Sequence, residues 1–105
     1  MLSRPTMEGM EQDTVTLNSA QRKTLDAIFA GKVMRFARIE SLLRHINCRV
    51  REGDGSAVGF MHLPSGEVVR FHRPHPGNEA KDYQVRDARN FLQAIGITPE
   101  TMKGE

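Results

Sequence analysis

The chain has 105 residues, of which 38% are hydrophobic and 27% charged, and this composition suits one small globular domain rather than two. No apolar run approaches the ~20 residues that a membrane helix needs. The N-terminal stretch MLSRPTMEGMEQDTV lacks the apolar core of a signal peptide. The single cysteine, Cys48, excludes an intrachain disulfide. We therefore expect a cytoplasmic protein with no membrane partner.

The net charge of +2 is spread unevenly along the chain. Residues 18–51 carry eight lysines and arginines against two acidic side chains, whereas the segments on either side are each net negative. Such a basic stretch indicates a surface that meets a polyanion. A solvated helix face with charged strand ends would have the same composition, so charge alone leaves both interpretations open.

The N-terminal half of the chain predicts a tail and two helices. Residues 1–17 show no hydrophobic period and are predicted to form a mobile tail, in which Val15 and Leu17 could still pack down. A first helix is predicted over residues 18–31, because Asn18 or Ser19 can cap its first turn and Gly31 can end it. A second helix is predicted over residues 36–47, where apolar residues recur at helical spacing: Ile39, Leu42, Leu43 and Ile46.

The C-terminal half predicts three strands and a last helix. Apolar and charged residues alternate from Cys48 to Arg51, and the segments AVGFMHL and EVVRFH read as two further strands joined by a short turn. Pro74 and Pro76 cannot extend a central strand, and a final helix fits residues 82–95. The order predicts an α+β fold, with a three-stranded antiparallel sheet and helices on one face. This α-β-β-β-α order, with an extra N-terminal helix, is similar to that of double-stranded-RNA-binding domains. The domain spans residues 18–102, with the extra helix at 18–31 and the core at 36–102.

Two histidines, His72 and His75, end the third strand and enter the constrained segment HRPHP. Proline restricts the residue before it to extended geometry, which would hold a side chain in one orientation. Histidine is also the side chain that transfers protons near neutral pH. The alternative is a polar strand exit without chemistry. A metal site built from His62, His72 and His75 is disfavoured, because no neighbouring acid has a diagnostic spacing. We expect no metal and no cofactor.

Four segments occur in order over residues 36–102: IESLLRHINCRV, EGDGSAVGF, VVRFHRPHPGNE and VRDARNFLQAIGIT. Together they resemble the HicA family of bacterial toxins, and the helix RKTLDAIFAG and the HRPHP segment are similar to one subgroup of it. The resemblance implies an RNA-binding domain that cleaves mRNA without a metal. It also implies a protein antitoxin of the HicB type as a partner.

The sequence departs from the family pattern at one position. The family's catalytic histidine follows a Gly-Ser pair, which here is Gly55-Ser56, and the next residue is Ala57. Alanine cannot transfer a proton. Three accounts stay open: the acid–base role has moved to His72 or His75, the domain binds RNA without cleaving it, or the chain acts only within a complex.

Cleavage through the ribose 2′-OH needs a base, an acid and cations around the phosphate. His72 and His75 are the catalytic candidates, and the Ser56 hydroxyl is a candidate phosphate contact. Arginine binds phosphate through a planar fork of donors, so the nucleic-acid-binding candidates also include Arg49, Arg51, Arg70 and Arg73. The leading hypothesis is a HicA-like RNA-binding protein, as an endoribonuclease or without cleavage. The alternatives are a non-catalytic nucleic-acid-binding module and a domain whose basic face meets an acidic protein.

Overall fold

The computed structural model describes residues 15–102, which form three helices and three strands. In chain order these are α1 (Ser19–Phe29), α2 (Phe36–His45), β1 (Cys48–Glu52), β2 (Ala57–His62), β3 (Val68–His72) and α3 (Asp82–Ala94). The predicted α+β class and element order are confirmed. The bounds of the helices and strands differ from the predicted ones by no more than two residues at either end, and β1 extends one residue further, to Glu52.

Local sequence signals explain where the helices begin and end. At the start of α1 the Asn18 side chain accepts a hydrogen bond from the backbone N–H of Gln21 at 2.8 Å, and the Gln21 side chain accepts one from the N–H of Asn18 at 2.9 Å. This reciprocal pair is a capping box. After α2, Asn47 adopts a left-handed conformation with φ of 67°, which asparagine tolerates better than most residues. The chain can therefore turn directly from α2 into β1.

The three strands form one antiparallel sheet in the order β1-β2-β3. Side chains alternate between its two faces. One face carries the buried side chains Val58, Phe60 and Phe71. The other face carries exposed polar residues, among them Arg51 and His72. The helices therefore cover one face of the sheet and leave the other open to solvent.

The core lies between the helices and the covered face of the sheet. The ring of Phe71 meets those of Phe36 and Phe60 edge to face, with centroids 5.2 Å and 6.1 Å away. The largest fully buried side chains come from all three helices, from the residue that follows α2 and from β2: Leu25, Ile28, Ile39, Leu42, Leu43, Ile46, Val58, Phe60, Gln84 and Leu92. Leu17, which the predicted tail included, is also buried in this core, so the tail does not extend to residue 17. The rest of that predicted tail, up to residue 14, lies outside the described residues.

The segment between β3 and α3 is attached to the chain that precedes α2. The Phe36 N–H donates to the carbonyl of Asn78 at 2.8 Å, and the Ala80 N–H donates to the carbonyl of Met34 at 2.9 Å. Arg35 and Glu79 form an isolated antiparallel bridge between these two bonds. The chain that follows the HRPHP segment is therefore held by backbone contacts. Among residues 15–102, no helix combines the length and apolar character that a membrane crossing requires.

Candidate nucleic-acid interface

The open face of the sheet carries its side chains in rows that cross all three strands. In the central row, Gly59 on β2 lies between Arg51 on β1 and Arg70 on β3, each its direct partner in the antiparallel register. Neighbouring strands are about 4.8 Å apart, so the two arginines leave the sheet roughly 10 Å from each other. Both arginines are exposed. The absence of a side chain at Gly59 leaves a gap between two cations.

This gap widens into a groove of about 260 Å³. Ala57 and Gly59 give it a low floor, and Arg51, Arg70 and His72 are among the side chains that line it. Three of the predicted site residues thus line one concave surface. Arg49 lies on the same face, two residues before Arg51 on β1 and about 7 Å from it.

His72 is the direct partner of Ala57 across the β2–β3 ladder. Its Nδ1 lies 3.3 Å from the Ser56 hydroxyl, so Ser56 and His72, two predicted site residues, are in contact. The imidazole therefore lies on the same face as position 57 and next to it. The remaining ring nitrogen, Nε2, makes no hydrogen bond within the described chain.

The backbone around His72 is fixed from both sides. The Arg73 N–H donates to the carbonyl of Ser56 at 2.9 Å and extends the ladder by one bond. The side chain of Gln84 on α3, which is only 1% exposed, donates from Nε2 to the His72 carbonyl at 2.7 Å. Its Oε1 accepts from the backbone N–H of Lys81 at 2.9 Å. Gln84 therefore links the end of β3 to the start of α3.

The guanidinium of Arg73 does not line the groove. It donates to both oxygens of Glu40 on α2, at 2.7 and 3.2 Å, and to both oxygens of Glu52 on β1, at 2.8 and 3.0 Å. Arg44 completes this ion-pair cluster through a 3.1 Å contact with Glu40. Hydrogen bonding by Arg73 is the largest cause that holds the pKa of each carboxyl below its ordinary value. Arg73, predicted to bind nucleic acid, is thus engaged in ion pairs within the protein.

His75 lies apart from the groove. It is exposed and lines a second concavity of about 450 Å³, which is formed entirely by the segment between β3 and α3. No described contact joins His75 to His72. The structure therefore brings His72, but not His75, together with the arginines of the sheet face.

The other histidines and the cysteine have structural surroundings. His62, a member of the disfavoured metal site, is only 7% exposed, because it belongs to the covered face. Its Nδ1 shares a 2.7 Å hydrogen bond with the Ser65 hydroxyl. His45 is exposed and donates from Nε2 to the carbonyl of Thr16 at 2.7 Å. Burial raises the pKa of the Cys48 thiol to about 11, so this thiol is not a nucleophile near neutral pH. Within residues 15–102 no three His, Cys, Asp or Glu side chains are grouped as metal ligands.

The arrangement has two chemical capabilities. Two arginines about 10 Å apart, with a bare backbone between them, can donate hydrogen bonds to an anion that lies on Gly59. One imidazole at the end of the groove can accept or donate a proton.

The residues that sequence reasoning missed are Gln84, Glu40 and Glu52, which hold His72 and Arg73 in place. A glutamine on the apolar stripe of a predicted helix, next to Val85, was the only sequence signal for Gln84.

Comparisons of this chain with protein-family models, with curated proteins and with solved structures find no match.

Proposed function

We propose that this protein binds RNA through phosphate contacts on the open face of its sheet, as a HicA-like protein with a double-stranded-RNA-binding type of fold. The observation that carries the proposal is the row Arg51–Gly59–Arg70. Both cations are exposed, neither forms an ion pair with a carboxylate within residues 15–102, and the space between them is open. A phosphodiester on Gly59 would meet a guanidinium on either side.

The neighbouring acidic groups support this proposal. Glu52 lines the groove and would repel a phosphate, but its carboxylate accepts two hydrogen bonds from Arg73. Within the ion-pair cluster, Arg73 therefore offsets the negative charge of Glu52, the carboxylate that lines the groove. The arginines of the groove itself remain available to a ligand.

Salt dependence of RNA binding tests the proposal. A fluorescein-labelled, single-stranded oligoribonucleotide would be titrated at several salt concentrations, with anisotropy as the readout. The double variant Arg51→Ala/Arg70→Ala should weaken binding and reduce the slope of log K against log salt by about 0.7, since the two arginines share one phosphate and each phosphate contact to a single strand contributes ~0.7. The matched control is Arg86→Ala/Arg89→Ala, which removes the same charge from α3. An equal loss in both variants would refute the proposed site and indicate binding by net charge alone. No RNA binding at low salt would refute the proposal and favour a protein-binding role.

A second candidate function is cleavage of the bound RNA, and the pairing of His72 with Ala57 favours it. The imidazole would occupy the part of the face where the resemblance expects a catalytic histidine. In the step we infer, the ribose 2′-oxygen attacks phosphorus and the bond from phosphorus to the 5′-oxygen breaks. His72 Nε2 takes the 2′-OH proton and water supplies a proton to the 5′-oxygen, which leaves a 2′,3′-cyclic phosphate and a 5′-OH.

Incubation of the protein with mRNA in EDTA, followed by end analysis of the fragments, tests this second function. His72→Ala should abolish cleavage while RNA binding persists, and His75→Ala should leave cleavage within about twofold. Loss of cleavage only in His75→Ala would assign the role to the other histidine. An absence of fragments from the unaltered protein would leave RNA binding as the function.

A protein antitoxin of the HicB type is the partner that this proposal implies. The same exposed arginines would meet acidic side chains of such a protein. If so, a small acidic protein encoded next to this chain should compete with RNA for the sheet face, and competition should weaken in the Arg51→Ala/Arg70→Ala variant. Simultaneous binding of RNA and that protein would contradict a shared face.

A further inference from the structure

We propose that Met61 and Val68 form a base subsite that binds an unpaired nucleobase of the RNA whose phosphate lies between Arg51 and Arg70. This inference rests on the proposed function and adds the class of ligand, a single-stranded RNA. Met61 and Val68 are direct partners across the β2–β3 ladder, so their side chains lie side by side on the open face. We call these two residues the apolar pair.

The apolar pair is accessible to a ligand. Val68 is 43% exposed, which places it among the few large hydrophobic side chains of the described chain that face solvent, and Met61 is half-buried. Val69 and Phe60, their neighbours along the strands, point to the core instead. The apolar pair is therefore not an extension of the core but a separate patch on the charged face.

The charged neighbours of the apolar pair favour a nucleotide over an apolar protein segment. Arg49 is the direct partner of Met61 on β1, so a guanidinium borders the patch on that side. The row Arg51–Gly59–Arg70 begins two residues along the strands, about 7 Å away. A ligand that spans both rows needs an anionic part and a flat, weakly polar part within a few ångströms of each other. A nucleotide has both, and Arg49 can stack on the same base.

A base in a duplex is paired and stacked, so it cannot lie flat on this patch. Sequence-specific RNA-binding proteins receive splayed bases from single strands, loops or bulges. With no aromatic side chain in either row, stacking would use the polarisable thioether of Met61 and the methyl groups of Val68. The site therefore requires single-stranded RNA, whereas phosphate contacts alone would accept a duplex equally well.

The test compares three RNA ligands of equal length: single-stranded RNA, the same strand in a duplex, and a single strand of abasic residues. Each is titrated with the unaltered protein and with the double variant Met61→Gln/Val68→Thr. These substitutions keep the side-chain size and replace apolar groups with polar ones. We expect the variant to bind base-bearing single strands about tenfold more weakly, and to bind the abasic strand as the unaltered protein does. Leu63→Gln, which alters another exposed hydrophobic residue outside both rows, is the matched control and should change neither affinity.

The outcomes separate this inference from the function on which it rests. If abasic and base-bearing strands bind equally, or if the duplex binds as tightly as the single strand, the base subsite is refuted while phosphate binding stands. Equal loss on abasic and base-bearing strands would show that the variant damages the sheet rather than a base contact, and would also refute it. If Arg51→Ala/Arg70→Ala leaves both single strands unaffected, the phosphate site itself is refuted.

Discussion

Gln84 is a buried polar side chain whose removal should change both the stability of the fold and the surroundings of His72. Gln84→Ala would leave the carbonyl of His72 and the N–H of Lys81 without their partner in a partly buried position. Because unpaired buried polar groups are unfavourable, we expect a loss of about 1–3 kcal/mol in the free energy of unfolding, measured by urea denaturation.

A second glutamine on the same helix gives the control for this substitution. Gln93 is exposed, and Gln93→Ala should change stability by less than about 0.5 kcal/mol. In ¹H–¹⁵N spectra, Gln84→Ala should also shift the resonances of His72 and Ser56, whereas Gln93→Ala should not. Equal effects of the two substitutions would contradict the linking role of Gln84.

The roles of these residues show what the sequence could and could not predict. His72, Arg51 and Arg70 could be chosen as candidates because their residue types and strand alternation are visible in the sequence. The engagement of Arg73 was not visible, because Glu40 and Glu52 lie 33 and 21 positions away along the chain and meet it only in the folded protein. The burial of His62 was not visible either, because it depends on which alternating set of β2 side chains faces the helices.

The ion-pair cluster joins α2, the end of β1 and the residue after β3. Arg73→Ala would leave Glu40, whose side chain is 15% exposed, with Arg44 as its remaining cationic partner. We expect a loss of about 1–2 kcal/mol in the free energy of unfolding, since hydrogen bonds to charged groups are lost at a partly solvated position. Thermal unfolding followed by circular dichroism measures it. Arg86→Ala, at an exposed position on α3, is the matched control, and an equal loss there would contradict this role.

Acid should weaken the same cluster. The pKa of Glu40 is lower in the folded chain than its ordinary value, chiefly through the hydrogen bond from Arg73. Such a carboxylate stabilises the fold at pH values above its unfolded pKa of about 4.3, and the contribution is lost as the pH falls through the folded pKa. The stability difference between the unaltered protein and Glu40→Gln should therefore be largest near about pH 7 and shrink below about pH 4. A difference that is constant across this range would contradict the assignment.

The helices and strands were predictable because each has its own periodicity and its own stop signals. The stripe of α2, the alternation of β1 and the turn at Pro64–Gly66 required no long-range information. The strand register did require it: only the pairing of Gly59 with Arg51 and Arg70 creates a groove, and no local pattern specifies that pairing.

For the whole molecule, the position of charge should matter more than its sum. The outer surface of the helices is separated from the open face of the sheet by at least the thickness of one helix, about 10 Å. This distance matches the Debye length at ordinary ionic strength. Asp26→Asn/Glu100→Gln raises the formal net charge by two at exposed positions outside the sheet. We expect RNA affinity at about 0.15 M salt to change less than twofold, measured by anisotropy. A gain as large as the loss in Arg51→Ala/Arg70→Ala would indicate binding by net charge alone.

The pairing of Ala57 with His72 places these two positions side by side on the open face of the sheet. A side chain from either strand can reach the same part of the groove, and Gly53, which has no side chain, adjoins position 57 and leaves room there. An imidazole can therefore be moved from β3 to β2 without leaving the groove. The exchange Ala57→His/His72→Ala should retain any activity that depends on His72, although neither the residue number nor the strand is preserved.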